Sequence, residues 1–233
     1  MNVVITGSSK GLGKAIAISL ARKNYNLFIH SRSESDLEQL KNELLEINSE
    51  IKVYYFACDI SVRTQVDTLI KSILTVFREV DILINNAGNY LGGSMVDEPE
   101  GQLNYLLDCN LMSAYHLTRG LLPNMLRRQT GHIINMCSIA SLDAYPGGSS
   151  YSISKFALLG FSKSLRLELK DQGIRVTAVL PGAAWSDSWK GVNLPEDRLM
   201  QAEDVAKAVV CAIEMSPSAV LEEIILRPQK GDL

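Results

Sequence analysis

No Cys-x-x-Cys pair occurs in this sequence, and no histidine stands at ligand spacing from a cysteine. The four cysteines, Cys58, Cys109, Cys137 and Cys211, are widely scattered. Neither a zinc site nor a disulfide framework is therefore indicated, and the cysteines are expected to be small apolar core residues in a reduced compartment. An unbroken apolar run of about 18 residues is also lacking, so no membrane span is expected. The chain opens on Asn2-Val3-Val4-Ile5-Thr6, already a strand, where a leader would be basic and apolar. A cytoplasmic location is the expectation. Charge of one sign is scarce too: the formal net charge is −3, which gives no reason to expect nucleic acid or an acidic membrane surface as partner. Internal repeats, low-complexity tracts and linkers are missing as well.

What is present is a soluble composition, with 46% hydrophobic and 21% charged residues over 233 positions. That length suits one α/β unit with a large core. Short β-rich apolar runs alternate with helical patterns along the whole chain, which is the pattern of a parallel sheet covered on both faces. Strands are expected at residues 2–6, 26–31, 52–58, 80–84, 131–136, 174–180 and 222–227, and helices at 12–23, 34–48, 62–78, 100–127, 150–171 and 202–215. The fold class is a doubly wound parallel sheet of about seven strands with right-handed crossovers, forming one domain over residues 1–233.

Ligands of such sheets bind at the carboxyl ends of the strands. There, between the first strand and the first helix, lies Thr6-Gly7-Ser8-Ser9-Lys10-Gly11-Leu12-Gly13. Gly7 permits a tight turn, Gly11 lets backbone N–H groups approach a pyrophosphate, and Gly13 allows helix and strand to pack closely, with the anion at the helix's positive end. The second strand ends at His30-Ser31-Arg32, without the acidic residue that would bind a ribose 2′-hydroxyl. Arg32 and Lys10 could instead hold the 2′-phosphate of NADP, or be solvated surface cations. The third strand ends in Asp59-Ile60 and the fourth in Asn85-Asn86-Ala87-Gly88. Asp59 can accept from an adenine amino group or serve as a helix N-cap, and the small Ala87-Gly88 turn lets a cofactor lie close to the backbone.

The long helix carries Asn110 in its middle, where a buried amide must find partners. Leu103, Leu117, Leu121, Leu122 and Met125 give that helix a second apolar face, which subunit contact would explain. The fifth strand runs out into Cys137-Ser138, thirteen residues before Tyr151, and the loop between them can bring the serine hydroxyl and the phenol to one substrate oxygen. Tyr151 and Lys155 stand four apart at the start of a helix and share one face. After the sixth strand come Pro181-Gly182 and a short lid, residues 183–199, holding Trp185 and Trp189. Tyr90, Leu91, Tyr145, Trp185, Trp189 and Asn193 are the candidate substrate residues, and they suit something apolar or aromatic.

Taken in order, Thr-Gly-x-x-x-Gly-x-Gly at 6–13, Asp59, Asn-Asn-Ala-Gly at 85–88, Asn110, Ser138, Tyr-x-x-x-Lys at 151–155 and Pro181-Gly182 resemble the short-chain dehydrogenase/reductase family over essentially the whole chain. Phe161-Ser162-Lys163-Ser164-Leu165 is similar to the corresponding helix of 3-oxoacyl-carrier-protein reductases. The end of the chain, residues 222–228 with Gly231-Asp232, is similar to small bacterial sepiapterin-reductase-like members. The family's threonine after Pro-Gly appears as Ser186, which keeps a hydroxyl for the nicotinamide amide.

The resemblance implies a Rossmann-fold carbonyl reductase, reversible to an alcohol dehydrogenase, with NADP(H) preferred and NAD(H) possible. It also implies a small-molecule carbonyl or alcohol substrate and a homodimer or homotetramer. By the same resemblance, Tyr151 donates the proton, Ser138 hydrogen-bonds the substrate oxygen, Lys155 eases ionisation of the phenol and holds the nicotinamide ribose, and Asn110 completes a water-mediated relay. The alternative is a dinucleotide-binding sensor or scaffold of the same fold without turnover.

Overall fold

The structure, a computed structural model, describes residues 1–185 and 191–232. Seven strands form one sheet: β1 (Asn2–Ile5), β2 (Asn26–Ser31), β3 (Val53–Ala57), β4 (Ile82–Asn85), β5 (Gly131–Met136), β6 (Ile174–Pro181) and β7 (Glu223–Leu226). Their spatial order is β3-β2-β1-β4-β5-β6-β7, and every pairing is parallel. Between them run α1 (Gly11–Ala21), α2 (Glu34–Ile47), α3 (Arg63–Val76), α4 (Gln102–Leu107), α5 (Ser113–Arg128), α6 (Ser149–Leu169) and α7 (Ala202–Glu214).

Successive side chains of a strand point to opposite faces, and in β1 both faces are apolar. Val3 and Ile5 pack with α1, α2 and α7, while Val4 faces Val66, Leu69 and Ile73 of α3 and Leu117 and Leu121 of α5. The continuous apolar runs of the sequence thus become strands buried on both sides. The strand order reverses between β1 and β4, and the crevice at such a switch point is where a parallel sheet binds its ligand. Among the described residues no helix is long and apolar enough to cross a membrane.

Three expectations need correction. The helix expected over residues 100–127 runs unbroken from Gln102 to Arg128 but is not regular: a π-turn, Asp108–Met112, lies between α4 and α5. Asn110 lies in that turn and is 1% exposed; its amide bonds outward to Asn89 and Ser154 rather than running along the helix, and widening of the turn accommodates this. Second, Leu117, Leu121 and Met125 are fully buried in this chain's own core and Leu122 packs against it, so the apolar breadth of α5 is met by α3 and the sheet without a second subunit. Third, Cys58, Cys109 and Cys137 are buried free thiols, whereas Cys211 lies exposed on α7.

Candidate active site

The glycine turn is fixed from three directions. Thr6 Oγ1 accepts the backbone N–H groups of Asn86, at 3.1 Å, and Ala87, at 2.9 Å. The Asn86 side-chain amide donates to the Thr6 and Gly7 carbonyls at 2.9 and 2.8 Å. Ser8 N–H donates to the His30 carbonyl at 2.9 Å, tying the turn to β2. Gly7 sits at φ +62°, a conformation that favours glycine.

Lys10 gives α1 no side-chain cap, and Gly11, Leu12 and Gly13 of the first turn line the cleft, at the end of a helix where an anion can bind. A Cβ on Gly13 would lie 2.2 Å from the Gly7 carbonyl oxygen and 2.5 Å from Asn86 Nδ2. Backbone is the obstacle, so Gly13→Ala is expected to cost about 1–3 kcal/mol of stability and to weaken dinucleotide binding about tenfold or more. Thermal melting and a cofactor titration check this; an unshifted Kd would contradict the packing role.

The turn opens onto one long cleft of about 1200 Å³, ample for an extended dinucleotide and a small substrate. Gly7, Ser9, Lys10, Gly11, Leu12, Gly13, Ser31, Arg32, Asp59 and Ile60 line one end, and Asn86, Ala87 and Gly88 its floor. Asp59 is not an N-cap: α3 is preceded by Val62, without a side-chain cap. Its Oδ1 accepts from Ser61 N at 2.9 Å and Ser61 Oγ at 2.7 Å. These bonds, with Arg32 nearby, hold the Asp59 carboxyl below its ordinary pKa, so it stays an acceptor. Lys10 pairs with Asp36 at 3.0 Å and Arg32 is exposed, and both line this end of the cleft.

Tyr151, Lys155, Ser138, Tyr90 and Tyr145 line the other end, together with Pro181 and Gly182. Tyr151 and Lys155 lie in the first two turns of α6, and the Lys155 ammonium stands 5.8 Å from the centroid of the Tyr151 ring. Lys155 is 6% exposed and donates to the Met136 carbonyl at 2.9 Å, which aims a buried cation at the end of β5. A Cβ on Gly88 would stand 3.5 Å from this ammonium and 3.0 Å from Asn110 Oδ1.

Ser138 Oγ accepts the Ala140 N–H at 3.1 Å, which leaves its O–H free to donate. The rings of Tyr90 and Tyr151 meet edge to face at 5.1 Å. A backbone bond from Gly93 to Gly147 at 2.8 Å joins the loop bearing Tyr90 to the one bearing Tyr145.

Asn110 lies behind this wall and not on it. Its Oδ1 accepts Asn89 N–H at 2.7 Å, and its Nδ2 donates to the Asn89 carbonyl at 3.0 Å and to Ser154 Oγ at 2.9 Å. Leu91, Trp185 and Asn193 are not among the cleft-lining residues; the Trp185 indole donates to the Glu196 carbonyl at 2.8 Å instead. Ser186 and Trp189 lie outside the described residues.

The sequence reading missed His30, Asp36, Asp143, Arg227 and Asp232, all on the cleft wall. His30 could have been found as a polar residue in an otherwise apolar strand; Asp143, Arg227 and Asp232 come from separate segments and carry no local signal.

A doubly wound sheet with a glycine-rich first turn, and a Tyr–Lys pair with a serine at the same strand ends, define a dinucleotide-dependent oxidoreductase class. The chain belongs to the short chain dehydrogenase family, whose sequence model matches residues 1–197. It is 35% identical over 240 residues to the sepiapterin reductase of Chlorobaculum tepidum, covering 99% of this chain and 97% of that one. Its structure is similar to that of an alcohol dehydrogenase from the archaeon Thermococcus sibiricus complexed with 5-hydroxy-NADP. There the TM-score is 0.91 at 27% identity, over 100% of this chain and 98% of the other. It is also similar to the L-sorbose reductase of Gluconobacter frateurii complexed with NADPH and L-sorbose, with a TM-score of 0.90 at 26% identity over 97% and 95% of the two chains.

Proposed function

We propose that this protein is an NADP(H)-dependent carbonyl reductase acting on a small ketone or aldehyde, and reversibly on the alcohol. The observation that carries the reading is that Tyr151, Lys155 and Ser138 share one cleft with the glycine turn. The residues fit the dinucleotide: the start of α1, without a side-chain cap, for the pyrophosphate, Asp59 for the adenine, and Lys10 with Arg32 for a 2′-phosphate. NADPH, when bound, supplies the hydride.

The chain's own groups handle the oxygen. Tyr151 donates a proton to it, and the Ser138 O–H steadies its developing charge. Lys155, held by the Met136 carbonyl, turns its remaining N–H groups toward the nicotinamide ribose. Asn110 fixes the Asn89 main chain, and its Oδ1 keeps a lone pair for a water-mediated relay. Ser186 and the lid at 183–199 complete the nicotinamide and substrate end of the proposal. A homodimer or homotetramer also belongs to it, supported by the exposed Ile153 and Phe156 on α6, as does a cytoplasmic location.

The test is NADPH consumption over a panel of carbonyl compounds that includes pterins, ketoses and acyl thioesters. NADPH binding without turnover of any of them would favour a sensor. For the cofactor, Arg32→Ala is expected to raise the KM for NADPH about tenfold, the worth of one charge-assisted bond, and to leave that for NADH within about twofold. An unchanged ratio of the two would make Arg32 an ordinary surface charge.

A further inference from the structure

His30 is 1% exposed in β2 yet reaches the cleft wall beneath the glycine turn. Both ring nitrogens are engaged, and their partners differ in kind. Nε2 lies 3.2 Å from the Cys58 carbonyl, which can only accept, so Nε2 carries the proton. Nδ1 lies 3.4 Å from the Gly7 N–H, which can only donate, so Nδ1 presents its lone pair. The main chain of the same residue is tied as well: its N–H donates to Ser8 Oγ at 3.0 Å, and its carbonyl accepts from that hydroxyl at 3.1 Å.

One side chain therefore spans the ends of three strands. It joins the turn after β1, which faces the pyrophosphate, to the segment after β3, where Cys58 precedes Asp59. Burial pushes the ring's pKa down to about 4, against the Cys58 carbonyl and the Asp59 carboxylate, which favour the charged form.

We propose that His30 is a positioning residue for the dinucleotide: in the Nε2–H form it draws the Gly7 N–H away from the cleft, and so sets which amides of the turn meet the pyrophosphate. Taking the Gly7 and Ser8 N–H groups back to β2 leaves the amides nearer α1 for the anion. An imidazolium would turn a second donor on Gly7 and release the turn. The inference rests on the cleft holding NADP(H), and its tests are read from binding and from the protein without cofactor.

The side chain of asparagine can place an acceptor near the position of Nδ1, whereas that of glutamine reaches the position of Nε2. His30→Gln is thus expected to keep the tie to Cys58, lose the tie to Gly7 and weaken NADPH binding about tenfold, with His30→Asn staying within about threefold. A role in packing alone would move both Kd values in step with thermal stability. Equal Kd values for the two variants overturn the proposal.

Should either variant fail to fold, ring 15N spectra of the wild-type protein without cofactor decide: an Nε2–H ring coupled to the Gly7 amide supports it, and an Nδ1–H ring overturns it. A wild-type protein that binds no NADPH would instead refute the cofactor reading, and the spectra would still report on the ring.

Discussion

Tyr151→Phe is expected to lower kcat for carbonyl reduction by on the order of a thousandfold, within the range that a positioned general acid contributes, while NADPH affinity stays within about twofold. The change removes one oxygen and little packing. The edge-to-face contact with Tyr90, at 5.1 Å and 83°, is available to a phenylalanine ring, and the Lys155 bond to the Met136 carbonyl does not involve the phenol. The loss should therefore fall on proton donation. Ser138 is not expected to substitute, because an aliphatic hydroxyl is a far weaker acid than a phenol. Single-turnover rates at saturating NADPH, with a parallel binding titration, give the measurement. A variant retaining more than about a tenth of wild-type kcat would remove Tyr151 from the role of acid.

The second large effect is on stability in acid. His132 in β5 is buried, with Nε2 2.8 Å from Thr177 Oγ1, and burial, helped by Arg175, pushes its pKa down to about 3. His30 is held at about 4, chiefly by burial. In the unfolded chain both rings titrate near 6.5. From about pH 6.5 downward the unfolded state therefore binds protons that the folded state refuses. The resulting stability is present above 6.5, declines as pH falls, and is gone once each folded pKa has been passed.

Each pH unit is worth about 1.4 kcal/mol per histidine. Over the full span down to the two folded values they put on the order of 8 kcal/mol at stake, comparable with the whole stability of a typical domain. Denaturant unfolding between pH 6 and 4.5 should show an uptake of about two protons. His132→Gln, which can keep the bond to Thr177, should reduce that to about one. The lowered pKa values of Asp36 and Asp59 act at lower pH, and that of His116, lowered chiefly by partial burial, adds a smaller uptake in the same range; all three are common to both proteins. An unchanged slope in the variant would mean that His132 is charged in the fold or does not titrate on unfolding.

The order of strands and helices was legible because parallel strands buried on both faces read as apolar runs, and helices packed on them read at period 3.6. The glycine turn was legible for a local reason. Gly7 needs a positive φ and Gly13 has no room for a Cβ, so residue identity reports backbone geometry directly. The Tyr151–Lys155 pair was legible because i, i+4 spacing fixes a shared face within one helix.

What escaped was non-local. The π-turn at Asn110 answers to Asn89 and Ser154, twenty-one and forty-four residues away. The burial of Leu117 and Leu121 answers to α3, and the position of Trp185 to the Glu196 carbonyl.

The sequence by itself therefore determined the family and the sheet, and it marked the glycine turn and the Tyr151–Lys155 pair, since these depend on residue type and local spacing. Only the tertiary structure decided that Asn110 lies behind the wall, that Asp143, Arg227 and Asp232 join the cleft, and that His30 ties the turn to two neighbouring strands. Hydrogen bonds between strand ends depend on which strands lie side by side, and that is settled by packing the whole sheet.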